Sequence, residues 1–360
     1  IGSPESAKNF TVPDAAVSAL ETFKQETKKT IDCIIPVEIG ALSTTVACLV
    51  AAKMQLPVLD GEGAGRAVPT LNLISLSTGG ISVNPTIIAG PPSKDQNPYV
   101  SIEISNSDQI GASDKIESMV RPIISQPEYQ EIAGLAMWYV DDIKSIRENL
   151  IEDSISRCMQ LGELIAVQQT SPKPDLKAIL NSFPKKGDYH ATILYSGKIV
   201  SASTQTAGGF DNGMLVFEVP DIGSNFREIK LIFQNESMLL WDSELTSPRV
   251  MAPDLISYLI VKEEQQGQQL VYSNSDIMAN NQLLPEFQNA SILMVGLQAP
   301  QLLRKTERKL SELRKQQQLF KNYMSFLNTL GYYGSYLPLE AINRTVQKQI
   351  PAALKETAEQ

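Results

Sequence analysis

Residues 31–60 read IDCIIPVEIGALSTTVACLVAAKMQLPVLD, and this stretch decides the expected fold of the first part of the chain. Ile31–Pro36 is a short apolar run bounded by charge and proline, which is typical of a buried strand. Ala41–Met54 is small and apolar nearly all round, which predicts a buried helix. Leu56–Asp60 is a second apolar run that leads into a glycine-rich turn. Strand, helix and strand of these lengths predict a βαβ unit with parallel strands.

The elements around this unit continue the alternation of helix and strand. Apolar residues at helical spacing predict further helices, and short apolar runs predict further strands. We therefore expect an α/β N-terminal domain over residues 1–170, with βαβ units and a mixed or parallel sheet. The predicted helices are Asp14–Lys28, Ser113–Ile124 and Asp141–Val167, the last broken near Glu152 or Asp153, and the predicted strands are Tyr99–Ile104 and Leu135–Val140.

The pattern changes after Gln168–Pro174, a polar stretch with prolines that we interpret as a linker. Short strand-like runs separated by turn residues then predict a mainly β C-terminal domain over residues 171–300. The segment 301–360 differs again, because Gln301–Leu330 has the spacing of an amphipathic helix that packs on its own protein or on a second copy. The predicted strands are Ala191–Ser201, Gly213–Val219, Phe226–Gln234, Met238–Trp241, Leu255–Val261 and Ser291–Leu297.

Composition and charge narrow the classes of protein. The chain has 360 residues, of which 42% are hydrophobic and 20% charged, and this supports a folded core. Lys and Arg number 31 against 40 Asp and Glu, which gives a formal net charge of −9. A protein this acidic repels phosphate backbones, so we expect no nucleic-acid partner.

The rare residues exclude several kinds of site. A single histidine, His190, excludes a His–His metal site within one chain, and we interpret it as structural. Cys33, Cys48 and Cys158 show no C-x-x-C spacing, so we interpret them as small core residues in a reducing compartment. No apolar run could span a bilayer and no signal segment opens the chain, which predicts a cytoplasmic protein with no membrane partner. Because the first residue is Ile rather than Met, we expect a processed chain or an excised segment.

The richest chemical cluster is Asp60-Gly61-Glu62-Gly63-Ala64-Gly65-Arg66, directly after a predicted strand. Ligands of open α/β sheets collect outside the carboxyl ends of strands, and glycines allow close approach of the backbone. One interpretation is an acid/base or metal-binding carboxylate pair, with Arg66 orienting the substrate. The other is a tight turn in which Arg66 pairs with Asp60 or Glu62. The spacing matches no NAD or ATP motif.

Glu38 is the next candidate, because it follows a predicted strand and precedes Gly40. It should lie at the same sheet edge as Asp60 and Glu62, since neighbouring strands are about 4.8 Å apart. Three carboxylates there would suit a divalent metal, or shared protons with raised pKa values. The alternative is a glutamate at a helix N-terminus.

Two stretches in the second half, one rich in glycine and one a polar strand end, are more typical of turns than of sites. They are Gly208–Gly213 and Phe233–Glu236, and each separates two predicted strands.

Several ordered motifs together resemble the S-methyl-thiohydantoin desulfurase family, formerly a domain of unknown function. The first-domain motifs are IPVEIG at Ile35–Gly40 and LPVLDGEGAGRAVP at Leu56–Pro69. Three further motifs follow in the family's order in the second domain: GFDNG at Gly209–Gly213, FQNE at Phe233–Glu236 and PDLI at Pro253–Ile256. The resemblance implies an α/β domain followed by a mainly β domain, and an association with hydantoinase/oxoprolinase proteins.

The family's named activity converts an S-methyl-thiohydantoin to the hydantoin and methanethiol. For this chain the resemblance implies that Glu38, Asp60 or Glu62 activates water, directly or through a divalent metal, and that Arg66 holds a ring oxygen or a carboxylate. The residues expected to contact the ring substrate are Gly61, Gly63, Gly65, Asn72, Asp211 and Asn235.

Departures from the family leave two hypotheses open. The family's opening Gly-rich stretch has no counterpart here, Gly40–Ser43 and Pro69–Asn72 differ from its usual motifs, and the helix after Gln301 resembles an insertion. The first hypothesis is a hydrolase acting on a hydantoin- or S-methyl-thiohydantoin-type ring. The second is a non-catalytic companion of a hydantoinase or oxoprolinase that docks through Gln301–Leu330.

Overall fold

Two separate units make up the computed structural model. Unit 1 comprises Ile1–Arg157, Gln205–Asn212 and Leu302–Tyr323, and unit 2 comprises Cys158–Thr204, Gly213–Gln301 and Met324–Gln360. The predicted domain divisions at residues 170 and 300 stay predictions. The residues that the structure describes are 1–3, 12–92, 98–105, 111–171, 174–185, 187–221, 225–261, 269–304 and 310–339.

Unit 1 combines helices with two small antiparallel sheets. One sheet has the order β3–β2–β4, and the other pairs β1 with β5. Ala19 and Phe23 of α1 pack on Ile87 and Ala89 of β2 to form an apolar cluster. The elements are α1 (Val12–Thr27), α2 (Ala41–Met54), β1 (Gly61–Glu62), α3 (Ser75–Thr78), β2 (Thr86–Ala89), β3 (Tyr99–Ile102), α4 (Ala112–Ile124), β4 (Gly134–Ala136), α5 (Ile143–Asn149), β5 (Ile151–Glu152) and α6 (Ser154–Gln169), which continues into unit 2.

The predicted parallel βαβ unit is not confirmed. The segments Ile31–Pro36 and Leu56–Asp60 meet only at an isolated parallel bridge between Ile34 and Val58. Proline has no backbone N–H to donate to a ladder, and Pro36 lies two residues after Ile34 while Pro57 directly precedes Val58. The bridge therefore does not extend into a sheet.

The prediction that α2 is a buried helix is wrong, although its bounds are those expected. Only Val50 and Ala51 are buried, whereas Leu42 and Leu49 are 44% and 43% exposed. No parallel sheet lies behind α2 in the described part of the chain, and α2 packs on α1 with Leu42 and Leu49 exposed. The same exposure corrects the interpretation of Cys48 as a core residue.

The helices predicted at Asp14–Lys28 and Ser113–Ile124 are present as α1 and α4. Each of their ends lies within two residues of the predicted position. The long helix expected over Asp141–Val167 is broken where the sequence indicated, because β5 separates α5 from α6 and Asp153 has a φ of 60°. Cys158, on α6, is exposed rather than in a core, since only Ser154 is buried among the residues of that helix.

Unit 2 is mainly β, as predicted, and its largest sheet has the order β10–β9–β8–β7–β6. Beyond β6, the sheet continues through β14 to β11, and through β13 to β12. Each strand predicted in this part of the chain is present. The elements are α7 (Leu176–Ser182), β6 (Ala191–Ala207), β7 (Phe210–Pro220), β8 (Phe226–Gln234), β9 (Glu236–Asp242), β10 (Val250–Met251), β11 (Leu255–Val261), β12 (Met278–Ala279), β13 (Gln282–Leu283) and β14 (Ser291–Leu297), with β6 and β7 beginning or ending in unit 1.

Buried apolar residues alternate with other residues along these strands and form the core of unit 2. Ile229, Leu231 and Phe233 of β8 are buried at every second position, as one face of a strand requires. Both predicted turns are present, since Gly208 has a φ of 61° between β6 and β7 and Asn235 has a φ of 56° between β8 and β9. His190 Nδ1 lies 3.0 Å from the carbonyl oxygen of Pro184, and the interpretation of His190 as structural stays a prediction.

The helix expected over Gln301–Leu330 is α8, which spans Leu310–Thr329. Several of its described apolar side chains, among them Leu319, Tyr323 and Leu327, are buried by the chain itself. None of the helices that the structure describes is long and apolar enough to cross a membrane.

Candidate functional site

The glycine-rich segment Gly61–Pro69, here called the glycine loop, is organised around the buried side chain of Glu62. Glu62 is 0% exposed, and its Oε2 accepts hydrogen bonds from the backbone N–H groups of Ala64 and Gly65 at 2.7 and 2.8 Å. Its Oε1 accepts one from Ser154 Oγ at 2.9 Å, in the first turn of α6. Glu62 therefore fixes the start of the loop to the start of that helix.

Two glycines of the loop are required by its backbone and its packing. Gly65 has a φ of 67°, a conformation that residues with a side chain rarely adopt. A Cβ at Gly63 would lie 2.6 Å from Ile74 Cγ2, and Gly63 also accepts a hydrogen bond from the backbone N–H of Ser75 at 2.8 Å. These glycines serve the close packing of the loop.

Glu38 binds the other end of the glycine loop. Its Oε2 accepts a 2.6 Å hydrogen bond from the backbone N–H of Val68, and its Oε1 accepts one of 2.5 Å from Ser43 Oγ, in the first turn of α2. Unlike Glu62, Glu38 is only half-buried. The sequence predicted Glu38, Asp60 and Glu62 at one sheet edge. The parallel sheet is not confirmed, but Glu38 and Glu62 both bind this loop.

The surroundings of these carboxyls change their proton affinity. Burial raises the pKa of Glu62, against the opposing hydrogen bonds from Ala64, Gly65 and Ser154. Burial also raises the pKa of Glu38, and the negative charge of Glu62 adds to that rise. Like charges in a partly desolvated site disfavour ionisation. The pair can therefore hold a proton at a higher pH than exposed carboxyls do.

Asp60 has a different environment, at the start of α6. It accepts hydrogen bonds from the backbone N–H groups of Ile155 and Ser156 at 2.9 and 3.2 Å, and from the Ser156 hydroxyl. Partial burial acts to raise the pKa of Asp60, but these hydrogen bonds and the charge of Arg157 outweigh it and lower that pKa. Asp60 acts as a helix cap supplied from outside the helix.

The expected cluster of three carboxylates around a metal gains no support from this arrangement. Among the residues that the structure describes, no group of three His, Cys, Asp or Glu side chains could hold a metal ion. Arg66 is 5% exposed, and its Nε donates a 3.1 Å hydrogen bond to the carbonyl oxygen of Ala67. Its guanidinium is thus buried within the loop that Glu38 and Glu62 hold.

The predicted substrate contacts Asn72 and Asp211 both belong to hydrogen-bond networks in unit 1. Asn72 Nδ2 donates to Asp114 Oδ1 at 2.7 Å. Asp211 is buried, and its Oδ1 accepts from Ser3 Oγ at 2.9 Å and from Thr206 Oγ1 at 2.6 Å. Asn235, the third polar side chain predicted to contact the substrate, occupies the turn between β8 and β9 in unit 2.

A Glu–Arg pair on α4 was missed by the sequence analysis. Arg121 Nε lies 2.5 Å from Glu117 Oε1, and Glu117 Oε2 accepts a 2.9 Å hydrogen bond from the backbone N–H of Leu71. Arg121 also donates to the carbonyl oxygens of Pro69 at 2.7 Å and Gly209 at 3.1 Å. The i,i+4 spacing was a detectable signal for the pair, but not for the distant carbonyl groups. The pair fixes the end of the glycine loop beside the Gly208–Gly209 turn.

Comparison with family models identifies the chain. The model of the S-Me-THD-like N-terminal domain matches residues 1–96, and that of the S-Me-THD-like C-terminal domain matches residues 112–311. The chain belongs to the S-Me-THD-like family. This is the S-methyl-thiohydantoin desulfurase family that the motifs indicated.

A crystal structure of a protein from Chromobacterium violaceum resembles this S-Me-THD-like chain, with a TM-score of 0.74 and 27% sequence identity. The similarity covers 94% of this chain and 82% of that one. A comparison with curated proteins finds no match.

One further motif of this S-Me-THD-like chain is structural. Asp254, in the PDLI stretch of unit 2, is 0% exposed. Its Oδ1 accepts from the backbone N–H of Ala299 at 2.8 Å, and its Oδ2 accepts from Tyr336 Oη at 2.8 Å and from the backbone N–H of Leu339 at 3.0 Å. Asp254 thereby connects its own segment to two distant segments of unit 2, at Ala299 and at Tyr336–Leu339.

Unit 1 also contains a cavity of about 320 Å³ between the end of α1 and the start of α5. Phe23, Lys29, Tyr139 and Asp142 are among the residues that line it, and Lys29 Nζ lies 3.9 Å from the centre of the Tyr139 ring. None of the predicted site residues lines this cavity.

Proposed function

We propose that the protein hydrolyses the C–S bond of an S-methyl-thiohydantoin-type ring, with Glu38 activating the attacking water. The family membership supports this class of substrate. The observation that carries the proposal is that Glu38 is half-buried at the glycine loop and that burial raises its pKa. A carboxyl whose pKa lies nearer the working pH is a better general base, because it can both take up and return a proton.

The proposed reaction consumes one water molecule. Glu38 takes a proton from water as the water oxygen bonds to the ring carbon that carries sulfur. The C–S bond then breaks, and the leaving methanethiolate receives the proton from Glu38. The products are the hydantoin and methanethiol.

Other residues of the site have supporting roles in this proposal. Arg66 offers a positive charge to a ring oxygen or to a carboxylate on the ring. Glu62 holds the glycine loop through its bonds to Ala64 and Gly65. Asp60 holds the start of α6 instead of acting on water.

The test measures the hydantoin product by chromatography after incubation with an S-methyl-thiohydantoin. Thiol reagents are unsuitable because Cys48 and Cys158 are exposed. Glu38→Gln should lower the rate about 10²- to 10⁴-fold, which is the usual contribution of a general base. Glu21→Gln changes an exposed carboxyl on α1 and should leave the rate unchanged. Turnover by Glu38→Gln at the wild-type rate would reject the proposed base.

Addition of a chelator, followed by single divalent metals, tests the metal-assisted alternative. Product formation that survives the chelator supports direct activation of water by Glu38. If product formed only with an added metal, the metal would replace Glu38 as the group that activates water. If no condition gave product, the hydrolase proposal would be rejected.

The second candidate function is a non-catalytic companion of a hydantoinase or oxoprolinase. The exposed Leu42 and Leu49 on α2 favour it, because apolar residues grouped on one surface are typical of interaction sites. The docking surface first expected, Gln301–Leu330, is less suitable, since Leu319 and Leu327 are already buried. Co-purification that Leu42→Glu and Leu49→Glu together abolish would support the companion function.

We also propose that the protein is cytoplasmic. No disulfide bond joins any two of Cys33, Cys48 and Cys158 in the structure, which fits a reducing compartment such as the cytoplasm.

A further inference from the structure

Unit 2 contains a cluster of charged and polar side chains on β6, β8 and β9, formed by Tyr195, Arg227 and Asp242. Tyr195 Oη donates a 2.6 Å hydrogen bond to Asp242 Oδ2, and Arg227 Nε lies 3.5 Å from Asp242 Oδ1. The Arg227 guanidinium carbon is 5.7 Å from the centre of the Tyr195 ring. Asp242 Oδ1 also accepts from the backbone N–H of Glu244 at 3.0 Å, so both of its oxygens are engaged.

Arg249 adds a second guanidinium to this cluster. It directly precedes β10, and its backbone N–H donates to the carbonyl oxygen of Leu240, two residues from Asp242 on β9. Arg249 is only 3% exposed, and burial lowers the pKa of its guanidinium. The charges of Asp242 and Arg227 both act on it.

The two guanidiniums are short of acceptors. Each carries five N–H groups. Within the part of the chain that the structure describes, no side chain or backbone oxygen accepts a hydrogen bond from the guanidinium of Arg227 or Arg249, and the buried Nε of Arg227 has no hydrogen-bond partner. Arg249 is 3% exposed, whereas the Arg227 side chain is 25% exposed and forms an ion pair with Asp242, so the shortage concerns the Arg249 guanidinium and the Nε of Arg227. Buried donors are normally satisfied, and a buried charge without hydrogen bonds is costly. This arrangement is typical of a site whose acceptor is a ligand.

The charge of the cluster specifies that ligand. Arg227 and Arg249 contribute two positive charges and Asp242 one negative charge, while burial and the bond to Asp242 raise the pKa of Tyr195 and keep its phenol neutral. One positive charge is left over. A single negative charge on a group with several acceptor oxygens would balance it.

We propose that Arg227 and Arg249 bind the carboxylate of a small molecule in unit 2. The planar guanidinium fork matches the two oxygens of a carboxylate, so each arginine can make paired hydrogen bonds to it. This binding function is separate from the hydrolysis proposed for the glycine loop, and nothing in it depends on Glu38.

The test measures thermal unfolding of the full chain in acetate and in chloride at equal ionic strength. Ligand that binds only the folded state raises the midpoint in a saturable way. Acetate should do so and chloride should not. Equal responses to the two salts would overturn the proposal, because they would report screening alone. A saturable response to inorganic phosphate that exceeds the response to acetate would overturn the assignment to a carboxylate.

Variants locate the site. Arg249→Gln and Arg227→Gln should weaken acetate binding at least tenfold, measured by isothermal titration calorimetry. Lys230→Gln removes an exposed cation from the same strand, β8, and should bind acetate like the wild type. Wild-type affinity in Arg249→Gln would overturn the proposal. If that variant does not fold, Arg249→Lys keeps the charge and loses the fork, and it should still lose at least tenfold in affinity.

Discussion

Glu38 and Val68 are thirty residues apart in the chain, and the backbone N–H of Val68 donates a 2.6 Å hydrogen bond to Glu38 Oε2. The same carboxyl accepts from Ser43, so it connects the start of α2 to the end of the glycine loop. The group that we propose as the base is therefore held by two donors. Its orientation depends on both segments.

Replacing Ser43 with alanine should move the pH profile of turnover to higher pH. The Ser43 hydroxyl lowers the pKa of Glu38 against the effect of burial, so its removal raises that pKa further. A general base must be deprotonated, and the rising limb of kcat/KM against pH follows its pKa. Thr45→Ala, on the exposed side of the same helix, should leave the limb in place. An unmoved limb in Ser43→Ala would argue against Glu38 as the base.

Glu62→Gln should flatten the dependence of stability on pH. Burial raises the pKa of Glu62 above 4.5 in the folded state, so the folded chain keeps a proton that the unfolded chain releases. The free energy of unfolding then falls as pH rises from the unfolded pKa to the folded one, and glutamine has no such titration. Urea denaturation on both sides of this interval measures the slope. The exposed Glu21→Gln should keep the wild-type slope, and an unaltered slope in Glu62→Gln would contradict this prediction.

Asp60→Asn should keep most of the turnover, whereas Asp60→Ala should lower stability by about 1 kcal/mol, as expected for loss of a helix cap. Asparagine retains an oxygen that can accept from Ile155 and Ser156. The carboxylate stabilises the fold at pH values above its unfolded pKa, and this contribution is lost as pH falls through the lowered folded pKa. Turnover assays and thermal denaturation check both effects. If a folded Asp60→Asn variant had no turnover, this prediction would be contradicted and Asp60 would have a role in catalysis.

Gly63→Ala should destabilise the chain by about 1–3 kcal/mol, since the added methyl group would overlap Ile74 in a packed region. Gly162→Ala is a matched control in α6, where a Cβ meets no atom within 4 Å. That change should stabilise the helix by up to about 1 kcal/mol, because alanine favours helix more than glycine does. Chemical denaturation of both variants gives the comparison. Equal effects would show that the glycine loop is not tightly packed.

The strands of unit 2 were predictable because their signal is local. Phe226–Gln234, Leu255–Val261 and Ser291–Leu297 have the predicted bounds, since alternating apolar residues and flanking turn residues lie within each segment. The βαβ unit was not predictable in the same way. A parallel ladder depends on pairing between segments, and the prolines at positions 36 and 57 limit that pairing to a bridge.

The candidate site, like the fold, was predictable from the sequence only in part. Its sequence determined which residue types were available: the carboxyls of Glu38, Asp60 and Glu62 and the glycines between them. Only the tertiary structure decided that Glu38 and Glu62 hold one loop while Asp60 caps α6. The partner of each carboxyl is a donor on a distant segment, and no periodicity within a segment reports which distant donor lies nearest.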